Sequence, residues 1–137
     1  MVGWNQGEAQ ILAALSRRPQ GLSSLIDELA WRESDVASYH DLDVGVRRLV
    51  AAEYVEVTSR GLRLTKSGRA LARRGSKGIR LAYQGIERGL AAAGPPPEPA
   101  RRQFSEQDFD RAVAEHNARW ERMLARKRRG RVFRSGD

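Results

Sequence analysis

The sequence predicts a mainly α-helical domain with one small β-hairpin, extended by two C-terminal helices. Three observations carry this reading. Apolar residues recur at three- and four-residue spacing in successive segments. One stretch, Tyr54 to Leu64, alternates like a strand on either side of a glycine turn. The run "GPPPEP", residues 94–99, then separates the last helix from the rest, because consecutive prolines lack N–H donors and favour extended geometry.

Each element has its own signals. Asn5 and Glu8 form a capping box ahead of Ile11, Leu12 and Leu15, and Pro19 and Gly21 stop that first helix. Leu22, Leu25, Ile26 and Leu29 line a second helix, from Leu22 to about Trp31, and the polar "WRESDVASYH" reads as a loop. Ser38 and Asp41 form another capping box, opening a third helix with a buried stripe of Leu42, Val46, Leu49 and Val50. At 100° per residue, His40, Val44, Arg47, Arg48 and Ala51 fall on its outward arc. "TSRG" turns the hairpin with Gly61 able to take positive φ, and Thr65 caps a fourth helix, Lys66 to Arg74. Ile79, Ala82, Tyr83, Ile86 and Leu90 mark a fifth. In the last helix Ser105 and Asp108 make a capping box, with Phe104 and Phe109 as a hydrophobic staple. Its stripe continues through Ala112, Val113, His116, Trp120, Met123 and Leu124.

Composition bounds the function. With 137 residues, 40% hydrophobic and 31% charged, the chain suits one compact domain with an extension. There is no cysteine, so disulfides, thiolate metal sites and cysteine nucleophiles are excluded. No segment has the roughly 20 apolar residues of a membrane span and no cationic start precedes an apolar run, so a cytoplasmic protein with no membrane partner is expected. The net charge of +8 is unevenly spread: residues 1–59 carry 5 Lys+Arg against 9 Asp+Glu, residues 60–100 carry 9 against 2, and residues 101–137 carry 11 against 6. A polyanion is therefore drawn to the second half.

The order helix, helix, helix, hairpin, helix, with "VRRLVAAEYVEV" followed by "LRLTKSGRALA", resembles the bacterial winged helix-turn-helix superfamily, including the MarR-like regulators, over about residues 5–75. Leu64, Thr65 and Gly68 match the pattern in which a leucine of the second wing strand, a threonine and a glycine open the next helix. Glu53 stands where many members of that superfamily place the glycine that ends the third helix. The implied organisation is a winged helix-turn-helix domain over 1–75, an additional helix over 76–93, a Pro-rich linker over 94–100, an amphipathic helix over 101–128 for packing or dimerisation, and a basic disordered tail over 129–137.

The resemblance implies a DNA-binding transcriptional regulator. Carried over by position, Arg47 and Arg48 would read bases or phosphates, with Tyr39 and His40 near the leading end of the third helix and Arg60 and Arg63 on the wing. Arg60, Arg63, Lys66, Arg69, Arg73, Arg74, Lys77 and Arg80 form the stronger electrostatic footprint, spaced to follow a phosphate backbone. Against a strong base reader stand Asp41 and Asp43, whose carboxylates repel phosphates. The plainer reading of Arg47 and Arg48 is a solvated face paired with nearby acids.

Phe109, Val113, His116, Trp120, Met123 and Leu124 either fold back on their own chain or pair with a second copy in a homodimer. Alternative functions are a winged helix that binds a protein partner and a non-specific nucleic-acid binder. No catalytic constellation, metal site or cofactor motif is found, so no enzymatic activity and no cofactor are expected: His40 and His116 stand on separate helices without metal spacing, and no phosphate-cradling glycine loop follows a strand. Double-stranded DNA is the expected partner. That expectation requires the outward face of the third helix and the cationic flank to be continuous and free.

Overall fold

A computed structural model of the chain describes residues 3–33, 38–75 and 79–135. The elements among them are α1 (Gln6–Ala14), α2 (Leu22–Glu33), α3 (Tyr39–Ala51), β1 (Val55–Thr58), β2 (Gly61–Leu64), α4 (Lys66–Ala72), α5 (Ile79–Ala92) and α6 (Glu106–Ser135). The molecule is mainly helical, with one antiparallel hairpin in the register Val55 with Leu64 through Thr58 with Gly61. No helix among the described residues is long and apolar enough to cross a membrane.

Local signals account for most helix boundaries. Gly7 N–H donates to Asn5 Oδ1 at 2.8 Å while Asn5 N–H donates to Glu8 Oε2 at 3.0 Å, closing the first capping box. Ser105 and Asp108 do the same for α6, at 3.0 and 3.1 Å. At α3, Ser38 accepts from the Asp41 amide at 3.2 Å, so its cap forms on the side-chain side. The end of α3 shows how Glu53 substitutes for glycine. Its φ is 64°, its N–H donates to Val50, and Tyr54 N–H donates to Leu49, the paired bonds of a left-handed helix stop built without the usual residue.

The hairpin is braced from both ends. Gln20 and Leu62 exchange backbone hydrogen bonds of 2.8 Å, and Leu64 N–H donates to Ser16. The segment 16–20, bent at Arg17 and Arg18, is thus pinned to β2 at both of its ends, which offsets the marginal stability of an isolated hairpin. Gly61, at φ 130°, lets this run come close: a Cβ there would stand 2.1 Å from the Gln20 carbonyl oxygen.

Thr65 Oγ1 accepts from Gly68 N–H at 3.1 Å and donates to the Glu53 carbonyl at 2.6 Å, tying α4 to the end of α3. Gly68 has no room for a side chain, since its Cβ would lie 2.0 Å from the Tyr54 carbonyl oxygen. The spacing of Leu64, Thr65 and Gly68 thus has a local physical cause. Around this joint, Leu12, Leu25, Ile26, Leu42, Val46, Leu49 and Val55 form the centre of the core, joined by Ile86 and Leu90 of α5.

Three expectations are corrected or refined. Helix α2 runs on through Trp31 to Glu33, while residues 34–37 of the expected loop lie outside the described residues. The Pro-rich linker is anchored at both ends: Trp4 Nε1 donates to the Gly94 carbonyl at 2.9 Å, and Ala100 both donates to the Arg47 carbonyl at 3.0 Å and accepts from Arg47 Nε at 2.7 Å. Helix α6 continues to Ser135 through most of the expected disordered tail. A helix already nucleated extends at little cost, and cations near its C-terminus are favoured by the helix dipole.

Candidate nucleic-acid interface

Helix α3 was expected to carry the readers, and most of its candidates are engaged internally. Arg48 Nη1 stands 3.0 Å from Glu8 Oε1, and Glu8 is fully buried. Burying that carboxylate requires a paired cation, and Arg48 supplies it while retaining 15% side-chain exposure. Arg47 is held on the other flank by Ala100 and lies 3.5 Å from Asp43. Asp43 is itself buried and lies 3.8 Å from Arg102.

Tyr39 is also occupied. Its ring meets Phe104 edge-on at 5.9 Å and Phe109 at 5.7 Å, its hydroxyl donates to the Phe104 carbonyl, and Arg102 sits over its face at 5.7 Å. Aromatic pairs of this kind add about 0.5–1.5 kcal/mol each beyond area burial. The stripe Tyr39, Asp43, Arg47 is therefore covered by residues 100–109. What α3 leaves exposed is His40 and Asp41, with Val44 and Ala51 partly so, and no free guanidinium among them.

The hairpin side differs. Arg60 and Lys66 are exposed with no acid paired to them among the described residues, and Arg73 and Arg74 are exposed just past the end of α4. Arg63 is exposed but pairs across the hairpin with Glu56. Arg69 is half-buried, its Nη1 lying 3.4 Å from the Leu64 carbonyl. Lys77 and the Arg80 side chain lie outside the described residues. Two cations missed by pattern reading join this surface: Arg17 and Arg18 sit in the run that pairs with β2 and are exposed. No local period announces them, because Gln20 and Leu62 are 42 positions apart.

The proposed dimer stripe divides in two. Phe109 is buried, Val113 packs on the core, and His116 Nδ1 donates to Asp27 Oδ1 at 2.5 Å, all within one chain. Arg119 Nη2 completes that joint at 2.7 Å from Asp27 Oδ2 and also donates to the Ser23 carbonyl. Burial pushes the Asp27 carboxyl up, but the hydrogen bonds from Arg119 and His116 and their charges outweigh it and hold Asp27 below its ordinary range. Trp120 and Met123 are left 47% and 38% exposed, Leu124 is partly covered, and Trp31 of α2, absent from the expected set, is 78% exposed.

Comparison of the chain with family models, curated proteins and solved structures finds no match.

Proposed function

We propose that this protein binds double-stranded DNA chiefly through its phosphates, with the hairpin, the run 16–20 and the start of α4 as the contact surface. The fold proposed for residues 5–75 is a winged helix-turn-helix, supported by the element order and by the Gln20–Leu62 bridge that ties the segment before α2 to the hairpin. The observation that carries the reading is the exposure of Arg17, Arg18, Arg60 and Lys66, with no acid partner among the described residues, on segments joined by the Gln20–Leu62 bridge. Such a surface grips a backbone and carries little sequence information.

A role in transcription regulation through a specific operator is the narrower form of this proposal. It requires Arg47 and Arg48 to leave Ala100, Asp43 and Glu8 before reading bases, so modest sequence preference is the form that the contacts support. Titrating labelled duplexes at about 50 and about 200 mM salt tests the proposal: four phosphate contacts at a slope near −0.9 each predict a loss of about 10²-fold or more. Arg18→Gln combined with Arg60→Gln should weaken all sequences alike and reduce the slope by about 2. Affinity indifferent to salt would defeat it.

A second reading rests on Trp31, Trp120 and Met123, whose exposure favours self-association or a protein partner. Light-scattering mass across a range of concentrations tests the homodimer, and a constant monomer mass would remove it.

A further inference from the structure

Helix α6 has two unlike halves. Up to about Trp120 it lies along α2, with Leu22 and Ser23 beside Phe104, Asp108 and Ala112, and Asp27, further along α2, meeting His116 and Arg119. Residue numbers rise in the same direction on both helices. Because α2 ends at Glu33, α6 runs on alone past the point where α2 stops. The six residues of α2 beyond Asp27 accompany α6 to about Arg122, so from Met123 to Ser135 this overhang is about 18 Å of helix at 1.5 Å per residue.

The charge changes where the packing ends. Glu106, Asp108, Asp110, Glu115 and Glu121 are exposed on the packed half, whereas Arg122, Arg126, Lys127, Arg128 and Arg129 follow with no acid before Asp137. All five cations are exposed, and none has an ion pair or hydrogen bond among the described residues. At 100° per residue Arg122, Arg126 and Arg129 fall within about 60° of arc, on the side away from Trp120 and Leu124. This is the reverse of α3, whose two arginines are both engaged.

The position of this half matters as much as its charge. The hairpin turn abuts Gln20 and Gly21, immediately before α2 begins, so the wing surface lies at the N-terminal end of α2. The cationic overhang leaves from the C-terminal end. Measured along α2 and the overhang, Arg122 to Arg129 stand roughly 20–30 Å from the wing end of α2, with the acids of the packed half of α6 lying between. One straight duplex laid along α6 would cross those carboxylates.

We propose that the free half of α6 is a second, independent contact for duplex DNA, so that one chain holds two duplex segments, one at the wing and one at the overhang. The inference rests on the wing reading for its first contact. A lone helix about 10–12 Å across fits the B-form major groove, about 12 Å wide, with its arginine row against the flanking phosphates. The deep, narrow major groove of A-form RNA excludes it.

A capture experiment tests this with the full-length protein. One biotinylated 30-base-pair DNA duplex is immobilised, a labelled second duplex is added, and the second duplex retained is measured beside ordinary single-duplex titrations. The wild type should retain the second duplex. The variant Arg122→Gln/Arg126→Gln/Arg129→Gln keeps helix-forming residues and should still bind one duplex through the wing while retention falls at least tenfold. The variant Arg18→Gln/Arg60→Gln/Lys66→Gln should bind one duplex through α6 and also lose retention.

Undiminished retention in the α6 variant would overturn the inference, as would a wild type that binds one duplex and retains no second, or one that prefers duplex RNA. If instead the wing variant binds and retains like the wild type while the α6 variant loses affinity, the wing reading fails and the α6 contact stands.

Discussion

Replacing Arg48 by Met separates a structural role from a DNA-reading one. Its guanidinium lies 3.0 Å from Glu8 Oε1, and Glu8 has no exposure of its own. Met preserves much of the side-chain volume but leaves a buried carboxylate without its cation. Breaking one side of a buried pair costs about 3–5 kcal/mol. Two features place the expected loss toward the lower figure: Glu8 keeps the Asn5 N–H bond, and it sits in the first turn of α1, where the helix dipole favours a negative charge.

A loss of about 3 kcal/mol is a large share of the roughly 5–15 kcal/mol that holds a domain folded. With a urea dependence of about 1–3 kcal/mol per molar, the unfolding midpoint followed by circular dichroism should fall by about 1–3 M. Adding Glu8→Gln, which removes the stranded charge, should recover a substantial part of the loss. A drop below about 1 kcal/mol, with altered preference among DNA sequences, would refute the assignment of Arg48 to the core and return it to the recognition surface.

Other consequences are as direct. Glu53→Gly relieves a left-handed non-glycine residue, worth about 1–2 kcal/mol, against about 0.5–1 kcal/mol of added backbone entropy; a net gain of up to about 1.5 kcal/mol is expected in urea melts. Gly68→Ala should cost at least about 1–3 kcal/mol, because its Cβ meets the Tyr54 carbonyl and the neighbour is backbone that cannot swing aside. Thermal unfolding checks it, and a melting point equal to wild type would contradict the close approach. For Asp27, a folded-state pKa held below its ordinary value stabilises the protein above the unfolded pKa, and that contribution is lost as pH falls through the folded one. Asp27→Asn should therefore lower stability at pH 7, by less than about 1 kcal/mol because the pair is more than a third exposed, and should flatten the decline below about pH 4.

Local chemistry in the sequence was sufficient for the elements. The boxes at Asn5 and Glu8 and at Ser105 and Asp108, the alternation through the hairpin and the Thr65–Gly68 spacing each act within a few residues, so pattern reading reaches them. The fate of the arginines was beyond it. Glu8 and Arg48 are 40 positions apart, and Arg47 and Ala100 are 53 apart, so no local period announces either contact. Glu8 was legible as a cap, but its second oxygen is what engages Arg48. Likewise the stripe on α6 was legible as apolar, while the end of α2 decides which part is covered and which part is left bare.

The overhang of α6 also behaves as a lever whose fulcrum is the Asp27, His116 and Arg119 joint. Over about 18 Å, a tilt of 10° carries the tip sideways by about 3 Å, about a hydrogen-bond length. A substitution at Asp27, which touches no ligand in either proposed contact, would thus misaim a distant guanidinium row. The aim of the tip draws on a carboxylate at the hinge as well as on the packing of Phe109 and Ala112.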